Sequence, residues 1–190
     1  MAGAEPPVRD SRGAALNIHP ELRAVPAFEM PHSRWRLAAL QNLLSAVNVF
    51  HRRRFKRVVS RARATSSDGY GVPMWLIRPE DLASPAPALV YFHGGAFVMK
   101  PAPGHFENAV RYAREARCIV VFVEYRLAPK HPFPAGFNDC YAALQWTLAN
   151  AARLGVDTSR VVIGGDSAGG GLAAGVAQRA LQEDGVSLCG

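Results

Sequence analysis

Hydrophobic residues recur along this chain with two different rhythms. Leu37, Leu40, Leu44 and Val47 return every three or four positions, a stripe that predicts a helix running on through Phe50, with Ser33 suited to cap its start. From residue 58 the pattern changes to short apolar runs: 72–77 behind the turn signal Ser66-Ser67-Asp68-Gly69-Tyr70-Gly71, then 89–92, 119–123 and 161–163. Helical patterns separate them. Residues 104–117 set Phe106, Val110, Ala113 and Ala116 on one side, a further helix carries Phe137, Tyr141, Leu144 and Leu148, and another spans 168–182. Short runs that are apolar throughout, alternating with helices, predict an α/β fold with a mostly parallel sheet covered by helices. Residues 1–32, rich in Pro, Ala and Gly, read as a loosely ordered lead-in, so the chain divides into 1–57 and 58–190.

Composition narrows the class. With 190 residues, 49% of them hydrophobic, the chain can bury the core of one domain with an appendage. No apolar stretch approaches the roughly 18 residues of a membrane span. The N-terminus lacks the charged start and apolar core of a secretory signal. Cys118, Cys140 and Cys189 show no metal-ligand spacing and read as thiols, Cys118 and Cys140 buried, which points to a reducing, cytoplasmic setting.

The formal charge of +7 is local. Nine basic residues and no acid lie between Glu29 and Asp68, and without them thirteen basic residues face fifteen acidic ones. Two readings compete for the basic helix. In one it packs on the rest of the protein with its arginines solvated; in the other it makes transient contact with anionic lipid or binds nucleic acid. Sparse aromatic interleaving and the lack of a nucleic-acid motif favour the first, and no nucleic-acid partner is expected.

Candidate chemistry sits at two strand ends. Gly165-Asp166-Ser167-Ala168-Gly169 joins the run 161–163 to a helix, the strand-turn-helix setting in which a G-x-S-x-G serine becomes a nucleophile. Small residues two positions either side remove side chains that would crowd the turn, and the helix start directs N–H groups toward the serine. The competing reading is a glycine-rich turn that Ser167 merely caps. His93-Gly94-Gly95-Ala96 follows the run 89–92 directly, where small residues let backbone N–H groups turn toward a bound oxyanion; the plainer alternative is a turn with a hydrogen-bonded histidine. Tyr125-Arg126-Leu127-Ala128-Pro129 reads by itself as a rigid connection.

These three segments, in this order, closely resemble the hormone-sensitive-lipase-like family of α/β-hydrolase esterases over about residues 58–183. The resemblance implies the α/β-hydrolase fold, with the segment up to residue 57 contributing a helical cap over the acyl pocket. It implies Ser167 as nucleophile, Gly94, Gly95, Ala96 and Ala168 as oxyanion donors, His93 as a loop organiser, and a small-molecule ester as substrate, with no metal or cofactor. Three positions depart from the family pattern: Ala96 replaces a third glycine but keeps its N–H, Lys130 reverses a common Glu, and Lys100 replaces a frequent glycine in the loop after Phe97.

The fold orders its triad as Ser, then Asp or Glu, then His. All six histidines precede Ser167, and only Glu183 and Asp184 follow it as acids. The expectation is therefore a sequence truncated before its C-terminal strands, triad acid and base, and nearly inactive by itself. A ligand-binding protein on the same scaffold, or a basic-helix interaction module, are the alternatives.

Overall fold

Five strands form one sheet in the order β1-β2-β4-β3-β5. They are β1 (Val59–Thr65), β2 (Gly71–Ile77), β3 (Ala86–Phe92), β4 (Ile119–Val123) and β5 (Val156–Gly165). The helices are α1 (Arg34–Arg52), α2 (Pro103–Glu115), α3 (Ala135–Ala149), α4 (Ala151–Leu154) and α5 (Ala168–Asp184). This computed structural model describes residues 33–186, 188 and 189, so the expectations for the lead-in and the N-terminal start lie outside the described residues.

β3 pairs in parallel with both β4 and β5, whereas β1 and β2 run antiparallel to their neighbours. The sheet is thus mixed, with the parallel part at β4-β3-β5. The unbroken apolar run of β4 follows from burial on both faces. Val121 and Val123 join Cys140 and Leu144 of α3 and Leu172 and Val176 of α5 on one side. Val120 and Phe122 meet Phe106, Ala109, Val110 and Ala113 of α2 on the other.

β1 escaped the sequence reading for a physical reason. Its inward positions are Ala62 and Ala64, too small to give a strong alternating signal, and Arg61 and Arg63 point outward. Pairing with β2 along the whole strand holds it.

α1 also differs from expectation. Ser33 occupies the N-cap position but makes no side-chain cap. Leu37 is buried and Leu40 and Leu44 are half-buried, but Val47 is exposed, because the buried face turns toward Gln41, Asn48 and Arg52. Arg53 and Arg54 are solvated as expected; Arg52 is not. It pairs with Glu124 at 2.5 Å and lies 4.6 Å from the Trp75 ring and 5.0 Å from the Phe106 ring. Cys118 and Cys140 are buried free thiols and Cys189 is exposed. No helix among the described residues is long and apolar enough to cross a membrane.

Candidate active site

The parallel pairing of β3 and β5 decides what meets what. Phe92 and Gly165, at the carboxyl ends of these strands, are direct register partners. α2 then leads the chain to β4 on one side of β3, while β5 lies on the other, which makes this end a topological switch point. The loop beginning at His93 and the elbow carrying Ser167 therefore leave the sheet side by side.

Two glycines let them press together. A Cβ on Gly165 would stand 2.3 Å from the Phe92 carbonyl oxygen and 2.5 Å from the Gly169 carbonyl carbon. On Gly169 it would stand 2.0 Å from the Phe92 oxygen and 2.9 Å from that of His93. Ser167 itself takes φ 50° and ψ −118°, a conformation that costs a non-glycine residue about 1–3 kcal/mol. It stands at the N-terminus of α5, exposed, and makes no side-chain cap. The hydroxyl is not spent on the helix, which removes the reading of Ser167 as a mere cap.

The facing loop is equally constrained. Gly95, Ala96 and Phe97 all have positive φ, at 130°, 50° and 62°, and the Val98 and Met99 amides both donate to the Gly95 carbonyl. Gly95 and Ala96 are partly or fully exposed, whereas Gly94 is buried. The Gly94 N–H faces the Asp166 carboxylate, and a Cβ on Gly94 would meet that carboxylate at 2.2 Å. The Gly94 amide is thus turned toward Asp166, whereas Gly95, Ala96 and Ala168 have no side chain among the described residues set against theirs.

Asp166 is the hub that the motif alone did not reveal. It accepts from Tyr91 Oη at 2.5 Å and from His105 Nε2 at 3.1 Å. Burial by itself would raise its pKa. The Tyr91 hydroxyl, the charge of His105 and the Gly94 amide outweigh that and hold it below the usual carboxylate range. The same contact, together with burial, pushes the Tyr91 hydroxyl upward. His93 is buried with its Nδ1–H donating to the Gly94 carbonyl at 2.7 Å, and its ring stacks on Tyr125 with centroids 4.5 Å apart. Burial lowers its pKa to about 4, so it is neutral at pH 7.

The Tyr125–Pro129 segment acquires a purpose here. Tyr125 Oη donates to the His93 carbonyl at 2.6 Å, and the Ala128 amide donates to the Phe97 carbonyl at 2.9 Å. Arg126 grips the fully buried Asp139 through Nε at 2.9 Å and Nη2 at 2.7 Å, and reaches Asp68 through Nη1 at 2.6 Å. Asp139 lies on the side of the predicted helix opposite Phe137, Tyr141, Leu144 and Leu148, so the apolar pattern carried no signal of its burial. Lys100, one of the departures, donates to Ser45 Oγ at 2.6 Å and ties the loop to α1.

His93 is committed to Gly94, and His105 accepts the Ala102 amide at Nδ1 and contacts Asp166 through Nε2.

Comparison with known proteins agrees with this geometry. A family profile described as "alpha/beta hydrolase fold" matches residues 89–190. Carboxylesterase NlhH of Mycobacterium tuberculosis is 42% identical over 127 residues, 66% of this chain and 40% of its own length. The crystal structure of esterase LipW from Mycobacterium marinum superposes with a TM-score of 0.78 at 32% identity, over 90% of this chain and 55% of that one. A rice protein, Gibberellin receptor GID1, is 39% identical over 112 residues, 57% of this chain and 31% of its own. The chain thus spans about 40% of the length of the carboxylesterase.

Proposed function

We propose that this chain, which belongs to the α/β-hydrolase fold family and resembles its hormone-sensitive-lipase-like esterases, supplies the nucleophile and oxyanion-binding half of a serine carboxylesterase. The observation that carries the reading is the register pairing of Phe92 with Gly165, which brings an uncapped, conformationally strained serine beside a loop whose residues 95–97 all hold positive φ. Ser167 Oγ attacks the acyl carbon of a small ester. The N–H groups of Gly95, Ala96 and Ala168 receive the negative charge that develops on the carbonyl oxygen. Each such donor is worth about 100- to 1000-fold in rate. Collapse expels the alcohol and leaves an acyl-serine that water hydrolyses.

The proton on Ser167 needs an acceptor, and both neighbouring histidines are engaged elsewhere. In this reading a base with an acid partner must serve it, and losing such a base costs about a million-fold in turnover.

A fluorophosphonate probe tests the assignment in the full-length protein. Peptide mass spectrometry should place the adduct on Ser167, with labelling and ester hydrolysis both lost in Ser167→Ala. A folded protein that binds esters yet leaves Ser167 unlabelled would overturn the esterase reading in favour of a binding protein, the role that the name of the rice relative gives to that relative.

A further inference from the structure

α1 is built inside out. Its polar side chains face the protein: Gln41 donates to the Val98 carbonyl, Asn48 donates to the Pro101 carbonyl at 2.7 Å, and Ser45 receives Lys100. Further along, His51 meets Glu107 at 3.1 Å and Arg52 meets Glu124 at 2.5 Å. Five of its large apolar side chains face away. Trp35 is 69% exposed, Leu43 59%, Val47 41%, Val49 51% and Phe50 67%. At 100° per residue, Trp35, Leu43 and Phe50 fall within one quadrant, opposite Leu37, Gln41 and Asn48. Five large hydrophobics on one helix turned outward exceed the scattered exposed residues that a soluble surface carries.

The charge around this face selects its occupant. Arg36 lies 5.2 Å over the Trp35 ring and Arg53 lies 5.2 Å over the Phe50 ring, so both cations stand on the apolar side. Arg54, Lys56 and Arg57 extend the cluster, all exposed, and no acidic residue occurs between Glu29 and Asp68. The nearest acids on the packed side, Glu107 and Glu124, are already paired with His51 and Arg52. Aromatic and aliphatic side chains rimmed by arginines that pair with no acid among the described residues match the boundary between acyl chains and anionic headgroups.

We propose that the outward face of α1 is a docking surface for an anionic lipid bilayer, with Trp35, Leu43 and Phe50 entering the acyl boundary and Arg36, Arg53 and Arg54 meeting phosphate. This surface is independent of the ester-hydrolase reading, since none of its residues lies in the elbow or the His93 loop. It would hold the protein's helical edge against a lipid source.

Cosedimentation of the full chain with phosphatidylcholine vesicles, with and without 30 mol% phosphatidylglycerol, tests this directly. Binding should be at least tenfold stronger to the anionic vesicles and should fall steeply between low and high salt. Each of Arg53→Gln and Arg54→Gln should weaken it about fivefold, the effect of one cation near an anionic surface. Leu43→Ser with Phe50→Ser should abolish it with the circular dichroism spectrum unchanged, since both side chains are exposed. Acyl-brominated lipid should quench an emission component that Trp35→Phe removes. Equal binding to neutral vesicles, or insensitivity to the Leu43 and Phe50 changes, would overturn the proposal. So would a dimer in light scattering that those changes dissolve without vesicle binding, or tight binding to an oligonucleotide that ignores them.

Discussion

Two glycines in the first turn of α5, two residues apart and on opposite sides of it, offer a matched test of how the elbow is held. A methyl group on Gly169 would lie 2.0 Å from the Phe92 carbonyl oxygen and 2.6 Å from its carbon, both backbone atoms of β3. Neither can swing aside as a flexible side chain would, so the elbow must lift from the sheet. Overpacking of this kind costs about 1–3 kcal/mol, and a displacement of two main chains belongs at the upper end. A methyl group on Gly171 meets nothing within 4 Å, and that residue is exposed within the helix. There the substitution removes glycine's helix penalty and stabilises by about 1 kcal/mol. Urea unfolding followed by tryptophan fluorescence should therefore separate Gly169→Ala from Gly171→Ala by about 4 kcal/mol, the sum of these two terms. Fluorophosphonate labelling of Ser167 in the full-length protein should be lost in the first and kept in the second. Equal stabilities, or normal labelling of Gly169→Ala, would refute the claim that backbone contact between elbow and β3 sets the site.

Other consequences are open to measurement. Buried His93 has its pKa lowered to about 4 against an ordinary 6.5, with His105, Asp166 and Arg52 as the charged groups around it. The unfolded chain therefore binds a proton that the folded chain refuses, so stability is full above pH 6.5 and falls by up to about 3 kcal/mol as pH drops toward 4. Urea titrations across that window should show the slope, flattened in His93→Asn; a pH-independent midpoint would contradict it. Arg126→Met leaves the fully buried Asp139 carboxylate without its partner and should destabilise by about 3–5 kcal/mol in the same assay. Arg126→Lys should not restore it, because an ammonium cannot replace a fork that spans Asp139 and Asp68. His105→Ala removes a partner of the Asp166 carboxylate and should slow Ser167 phosphonylation about tenfold or more in the full-length protein. An unchanged rate would reduce that contact to decoration.

What could be read from the chain and what could not divide along physical lines. β4 and β3 announced themselves because strands buried on both faces must be apolar throughout. The elbow was visible because a sharp strand-to-helix turn tolerates only small residues at Gly165 and Gly169. β1 stayed hidden, since Ala62 and Ala64 satisfy an inward face without any hydrophobic rhythm and its stability comes from hydrogen bonding to β2. The stripe Leu37, Leu40, Leu44 and Val47 only partly described α1: its first three members turn inward, but Val47 is exposed and the polar Gln41, Asn48 and Arg52 fill the rest of the buried face. Asp166 was visible as a structural residue beside the serine, yet its partners Tyr91 and His105 lie 75 and 61 positions away, beyond any local pattern.

The long-range partners also explain how a strained site can persist. Ser167, Ala96 and Phe97 all hold positive φ, a conformation disfavoured for residues with a side chain. Each is fixed from more than one direction. Asp166 binds the elbow to β3 through Tyr91, to α2 through His105 and to the loop through Gly94. Tyr125 and the Ala128 amide hold the loop's His93 and Phe97 carbonyls from the β4–α3 connection. Arg126 then anchors that connection to α3 through Asp139 and to the β1–β2 turn through Asp68. A strained residue held by one contact would relax at the cost of that contact alone; held through a network, it can relax only if several buried hydrogen bonds break together. The serine and its facing amides are accordingly set in place by side chains of the β1–β2 turn, β3, α2, the β4–α3 connection and α3.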